Sequence, residues 1–307
     1  MSWNTLDPNH DLFVNLTKNP PLWWKNLLND PQIYVDIRKD NSLNIYFMGA
    51  SVMELCFKGK YRGKIHYKYV PIQPRKRDYL EVQIEPDSIG IDIRDLEIRA
   101  DFDNFNQSIL TAIKKQIKLH YSTEGEKALQ ARLVAKDPYI IDSEFAYVRD
   151  KEEPIRIDLV RLDPIGPRIV FFELKQVSDV RLDVDDHKTG RAHVTGQLKR
   201  YKEFIRIHKE ALGRYYATLF RIKKQLGLIR SDELCALPST VQFDVLEKPV
   251  LLVGGCTREW MKIQSHMDNL NQSVQEHAAG CFYFNDAPNE LNLIVDPRQQ
   301  SYRKLFN

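Results

Sequence analysis

Apolar and polar residues alternate through most of the first hundred positions. The runs IYVDI (33–37), SLNIYFM (42–48), SVMELCF (51–57), KIHYKYV (64–70), YLEVQIE (79–85) and IGIDI (89–93) show this pattern, which is the period of half-buried strands. Turn residues at Lys39-Asp40-Asn41, Lys58-Gly59-Lys60 and Pro86-Asp87-Ser88 separate runs, so the series predicts a β-meander. Ahead of it, Leu22-Trp23-Trp24-Lys25-Asn26-Leu27-Leu28 after Pro20-Pro21 reads as a short amphipathic helix, with the tryptophan pair filling a core rather than offering a base-stacking platform.

Beyond residue 102 the period lengthens. Phe105, Ile109, Leu110, Ile113 and Ile117 recur at helical spacing between Asn104 and Leu119, and Ser122 is placed to cap a second helix from Thr123 to Val134. The strand YIIDSEFAYV (139–148) follows, then IRIDLVRLDPIGPRIVFFELKQ (155–176), two apolar-rich runs around a turn of prolines and glycine. Helices are predicted over 194–207, 212–227 and 258–276, and strands at PVLLVG (249–254), CFYF (281–284) and LNLIV (291–295). Strands alternating with helices around one hairpin predict a mixed β-sheet flanked by helices, an α/β (α+β) class. The expected division is a β-rich N-terminal domain, 1–102, and a second domain, 103–307.

The hairpin carries the chemistry. If Asp163 pairs with Arg168 across a four-residue loop, partner numbers add to 331, and Asp158 lies opposite Glu173 with Arg156 opposite Lys175. Because side chains alternate along a strand, Ile155, Ile157 and Leu159 share one face and Arg156 and Asp158 take the other. Glu173 and Lys175 then project toward Asp158. Directly opposed carboxylates repel, and a hard cation relieves the conflict: Mg²⁺ usually takes one or two carboxylates, several waters and a substrate phosphate. A neighbouring cation and ammonium would also keep both acids ionised. The competing reading is a surface ion pair between one acid and Arg156 or Lys175.

Asp158 followed by Glu173-Leu174-Lys175 resembles the D…(D/E)-X-K signature of the PD-(D/E)XK nuclease superfamily. Gln197-Leu198-Lys199-Arg200-Tyr201 downstream resembles the QxxxY motif of the branch that includes RecB-type nuclease domains and CRISPR adaptation exonucleases. The resemblance covers roughly 123–253 and implies a restriction-endonuclease-like core. It further implies Asp158 and Glu173 as ligands of Mg²⁺ (or Mn²⁺), Lys175 as the residue that positions or activates water, and Gln197 and Tyr201 lining the DNA side. In such families a helix before the first strand often supplies an extra acid. Glu126 stands at that place, with Glu124 and Glu144 as alternatives and a helix-dipole role for Glu126 as another reading.

Other features narrow the class. Net charge is +3, from 45 Lys and Arg against 42 Asp and Glu, so any nucleic-acid surface must come from local clusters. Two clusters stand out. Lys60, Arg62, Lys64, Lys68, Arg75, Lys76 and Arg77 are interleaved with Tyr61, Tyr67 and Tyr69, and read either as a nucleic-acid contact or as a lysine-protected edge strand. Lys199, Arg200, Lys202, Arg206 and Lys209 follow the hairpin, where a phosphate backbone would pass. The cysteines Cys56, Cys235, Cys256 and Cys281 have no CxxC spacing and read as reduced thiols rather than a zinc, iron–sulfur or disulfide framework. Asp183, Asp185 and Asp186 lack the Gly and Glu offsets of an EF-hand, and no GxxxxGK[ST] loop occurs. Without a long apolar run or a signal pattern at the N-terminus, the chain reads as a soluble cytoplasmic protein. The expectation is a metal-dependent deoxyribonuclease of phage defence, restriction or repair, RNA remaining open as a substrate and the N-terminal domain open to a protein partner. The alternative expectation is a nucleic-acid-binding or scaffold protein that keeps the fold without cleavage.

Overall fold

The computed structural model describes residues 6–69, 79–84, 89–90, 107–120, 125–148, 154–163, 166–183 and 193–285. The chain divides into two compact units, residues 1–131 with 218–229, and residues 132–217 with 230–307.

The first unit opens with α1 (Asp11–Lys18) and α2 (Leu22–Leu28). Trp23 and Trp24 of α2 are buried, as core filling requires. Helix α1 has no counterpart among the sequence expectations; it buries Leu12, Phe13 and Leu16, and His10 Nδ1 accepts from the Leu12 amide at its start. Six strands follow, β1 (Ile33–Ile37), β2 (Leu43–Phe47), β3 (Ala50–Phe57), β4 (Tyr61–His66), β5 (Tyr79–Ile84) and β6 (Ile89–Gly90). They pair in sequence order, each antiparallel to the next, which is the meander. The β2–β3 turn has positive φ at both Met48 (52°) and Gly49 (81°), the geometry that suits the right-handed twist of a tight hairpin. Of the basic cluster, Arg75, Lys76 and Arg77 lie outside the described residues, as do Glu124, Ser122 and the LNLIV strand.

Helix α3 (Gln107–His120) and the first turns of α4 (Glu126–Lys136) belong to this unit. The reason is packing: Ile113 and Ile117 are buried, the Lys114 ammonium pairs with Asp30, and Lys114 and Lys118 sit over the Phe47 ring.

The second unit is built on strands β7 (Ile140–Tyr147), β8 (Ile155–Leu162), β9 (Arg168–Gln176), β10 (Asp244–Val245), β11 (Val250–Gly254) and β12 (Gly280–Tyr283). The order is β12-β11-β9-β8-β7, with β10 also on β9. Pairings β7–β8 and β8–β9 are antiparallel, and β9–β10, β9–β11 and β11–β12 are parallel, giving a mixed sheet flanked by helices. Among the described residues no helix is long and apolar enough to cross a membrane.

Two expected helices at 194–207 and 212–227 are one, α5 (Val194–Gln225). Gly213, mid-helix, permits a close approach: a Cβ there would meet the Phe243 carbonyl oxygen at 2.7 Å. The helix expected over 258–276 is instead α7 (Arg258–Lys262) and α8 (Gln264–Val274), parted at Ile263, whose ψ of 83° leaves the helical region. Between α5 and α7 lies the short α6 (Asp232–Ala236), capped by Ser231. Leu198 and Val194 of α5, Leu251 and Val253 of β11, and Met267 and Leu270 of α8 share one buried cluster. Cys256 and Cys281 are in it, and burial pushes each thiol up to about 12, so all four cysteines are free and these two are inert at neutral pH.

Candidate active site

The β8–β9 hairpin has the register that the turn arithmetic gives. Leu162 pairs with Ile169, Arg161 with Val170, Val160 with Phe171 and Leu159 with Phe172. The Asp163 amide donates to the Arg168 carbonyl at 2.8 Å, closing the loop. Past Leu159 the ladder changes character: the Leu174 amide donates to Asp158 Oδ2 at 2.7 Å, a side-chain oxygen taking a backbone amide of the neighbouring strand. This turns the Asp158 carboxyl across the strand gap, where it meets the Glu173 carboxyl within hydrogen-bond reach. The two acids come together.

Glu173 and Lys175 are almost fully enclosed, at 1% and 2% exposure. The Lys175 ammonium donates to Glu173 Oε1 and to the Leu174 carbonyl at 2.8 Å. Gln197, in the first turn of α5, donates its Nε2 to the same Glu173 Oε1 at 2.6 Å and to the Tyr201 hydroxyl at 2.7 Å, and that hydroxyl donates to the Arg156 carbonyl. The i, i+4 spacing that aligns Gln197 with Tyr201 on one helix face thus holds β9 through an acid and β8 through a carbonyl. Tyr201 is 2% exposed, and burial, with the Glu173 charge second, pushes its phenol well above the ordinary range, so it remains a neutral donor.

Charge in the site is finely opposed. Burial raises the Asp158 carboxyl above the ordinary aspartate range, and the Lys175 ammonium and the Leu174 amide pull it back, while Glu144 pushes it further up. Desolvation thus outweighs the nearby ammonium at Asp158, in the protein without a bound cation.

Glu144 lies on β7 between Ser143, partner of Leu159, and Phe145, partner of Ile157, so it flanks Asp158 in register. Its φ is 53°, and the strand's phase changes there. Asp142 accepts from the Tyr216 hydroxyl at 3.1 Å, yet Phe145 and Tyr147 also pack against α5 residues, Phe204 among them. Glu126 opens α4 in the first unit. Among the described residues no three His, Cys, Asp or Glu side chains gather as a metal-ligand set. The donors present are two touching carboxyls of hard oxygen, the pair Mg²⁺ or Mn²⁺ accepts when water and phosphate fill the remaining positions.

Of the basic residues on α5, Lys199 and Arg200 are exposed. Helical geometry separates them: Lys199 follows Gln197 by two residues and so faces away from it, whereas Arg200 at i+3 flanks the site face. Lys202 donates to the Glu276 carbonyl, Arg206 pairs with Glu203, and Lys209 pairs with Asp244. Arg156 stands differently. The sequence offered it only as a partner for one of the acids, and those acids are instead met by Lys175, Gln197 and Leu174. No protein-family model, curated protein or solved structure matches the chain.

Proposed function

We propose that this protein is a metal-dependent nuclease that hydrolyses DNA phosphodiester bonds in the manner of the PD-(D/E)XK enzymes it resembles. The observation that carries the reading is the contact of the Asp158 and Glu173 carboxyls on adjacent strands, with the Lys175 ammonium on Glu173. Buried acids in contact are costly unless something compensates. Desolvation of an acid beside a second acid and an ammonium is the arrangement that marks reactive sites.

Asp158 and Glu173 would hold Mg²⁺ or Mn²⁺ between them. When bound, such an ion polarises a phosphoryl oxygen and lowers the pKa of a coordinated water. Asp158 would serve in its ionised form, since a ligand carboxyl must be deprotonated. Lys175 orients Glu173 and stands ready to donate to a phosphate oxygen or to the attacking water. Gln197 fixes the Glu173 carboxylate and Tyr201 fixes the adjoining strand, so both are positioning residues. Lys199 and Arg200 contribute to backbone binding, Arg200 from the side of the site. Restriction, phage defence and repair are the settings such an activity serves, in the cytoplasm.

One observation favours a second reading. Lys175 already neutralises Glu173 without any metal, as a nucleic-acid-binding or scaffold protein that retains the fold without cleavage would have it. The two readings part in one experiment. Incubated with Mg²⁺ or Mn²⁺, the nuclease cleaves linear, nicked or single-stranded DNA, and Asp158→Ala, Glu173→Ala and Lys175→Ala each abolish cleavage while circular dichroism shows the fold intact. A scaffold shows no cleavage and no metal-dependent rise in melting temperature. Full activity in the Glu173→Ala protein ends the nuclease reading.

A further inference from the structure

We infer that Arg156 is the residue that grips the nucleic-acid backbone beside the metal-binding acids, at the phosphate next to the scissile one; the inference rests on the nuclease reading. Along β8 the burial sequence sets Arg156 and Asp158 against the buried Ile157, with Arg156 exposed and Asp158 half-buried. The two side chains therefore leave the strand on the same face, two residues and roughly 7 Å apart. That span is close to the through-space separation of adjacent phosphates on one strand, whose axial rise of about 3.4 Å adds to their displacement around the helix. An arginine extending from this point meets a flanking phosphate when the scissile group sits at Asp158 and Glu173.

Three further observations bear on Arg156. Among the described residues its guanidinium has no ion pair or side-chain hydrogen bond, whereas Arg161, Arg168, Arg181 and Arg206 each engage a carboxylate. The acids it was placed to neutralise take their donors elsewhere, so its charge is not consumed within the site. Its main chain is pinned, because the Tyr201 hydroxyl donates to the Arg156 carbonyl. A side chain free at its tip on a backbone held by the same network that holds Glu173 is preorganised for a ligand of fixed distance from that acid. A guanidinium suits phosphate because its fork offers paired donors to two oxygens.

The test measures equilibrium binding of fluorescein-labelled single-stranded and duplex DNA oligonucleotides in Ca²⁺, followed by cleavage of the same probes in Mg²⁺. Arg156→Ala is expected to weaken binding about tenfold regardless of sequence, to reduce the slope of log affinity against log salt by about one, and to leave the metal-dependent rise in melting temperature as in the parent. Arg156→Lys, which keeps the charge and loses the fork, recovers part of the affinity and all of the salt slope. If the parent cleaves and Arg156→Ala binds with unchanged affinity and slope, the assignment of Arg156 is overturned and the nuclease reading stands. If the parent shows neither metal-dependent stabilisation nor cleavage of either probe, the nuclease reading fails and takes this inference with it.

Discussion

Gln197 Nε2 lies 2.6 Å from Glu173 Oε1 and 2.7 Å from the Tyr201 hydroxyl, so one side-chain amide on α5 spends both of its hydrogens tying the helix to the candidate site. An amide NH₂ carries two donors, and here both are used. The relationship gives the Gln-x-x-x-Tyr spacing a physical purpose that needs no DNA contact: it sets the angle of a carboxylate.

The first prediction follows from that geometry. Removing the donor in Gln197→Ala is expected to lower Mn²⁺ affinity by about 10- to 100-fold, as loss of a group that orients a ligand commonly does. Gln197→Glu sets a like charge against Glu173 and is expected to be worse. Calorimetric titration reads both, and parental affinity in Gln197→Ala would show that the amide does not orient the ligand.

Asp158 gives a pH dependence with a defined sign. Its folded-state pKa is raised, chiefly by burial, so the native state binds its proton more tightly than the unfolded chain does. Its contribution to stability is full below the unfolded value and is lost as pH rises through the folded value. Metal binding, on the proposed function, would run the other way, since a ligand carboxyl must be ionised. The expected outcome is a metal-dependent rise in melting temperature that is large near pH 8 and fades on acidification at a pH above the ordinary aspartate range. Asp158→Asn is expected to stabilise the metal-free protein at pH 8 and to abolish the metal effect at every pH. Differential scanning calorimetry across pH, with and without Mg²⁺, decides the matter.

Gly213 offers a test of packing against propensity. Alanine in a helix interior is favoured over glycine by about 1 kcal/mol. A Cβ at this position would lie 2.7 Å from the Phe243 carbonyl oxygen, and overpacking costs about 1–3 kcal/mol. The clash is expected to prevail, so Gly213→Ala lowers stability in a urea melt. A gain in stability would show that the Phe243 loop yields freely.

At Glu144 the backbone and the charge can be separated. A φ of 53° costs an L-residue about 1–2 kcal/mol, which glycine escapes. Glu144→Gly and Glu144→Ala remove the same negative charge near Asp158, so their difference isolates strain. Glu144→Gly is expected to melt higher than Glu144→Ala, offset in part by the greater entropy that glycine loses on folding. Equal melting temperatures would mean that the strand relaxes out of the strained conformation.

Much of the architecture was legible in the residues because periodicity is a local signal. Alternation placed the six N-terminal strands, and a proline–glycine turn with a known loop length placed the β8–β9 register, which then put Asp158 beside Glu173. Helix α1 has no counterpart in the sequence reading because its eight residues carry only a short apolar stripe, although Pro20-Pro21 mark its end. The break expected between residues 207 and 212 is absent because one buried face, with Ile205 and Leu212 both fully enclosed, runs through it in the continuous α5.

What the sequence determined by itself was the set of chemical groups and their strand faces: two acids, an amine, and a Gln and Tyr one helical turn apart. What only the tertiary structure decided was how their charges are spent. Whether Lys175 or Arg156 meets Glu173, whether Gln197 faces the acid, and whether burial or the ammonium governs Asp158 all depend on distances and desolvation between segments far apart in the chain. Electrostatic energy in a partly buried site varies steeply with separation and solvent access, and neither quantity is written in the order of residues.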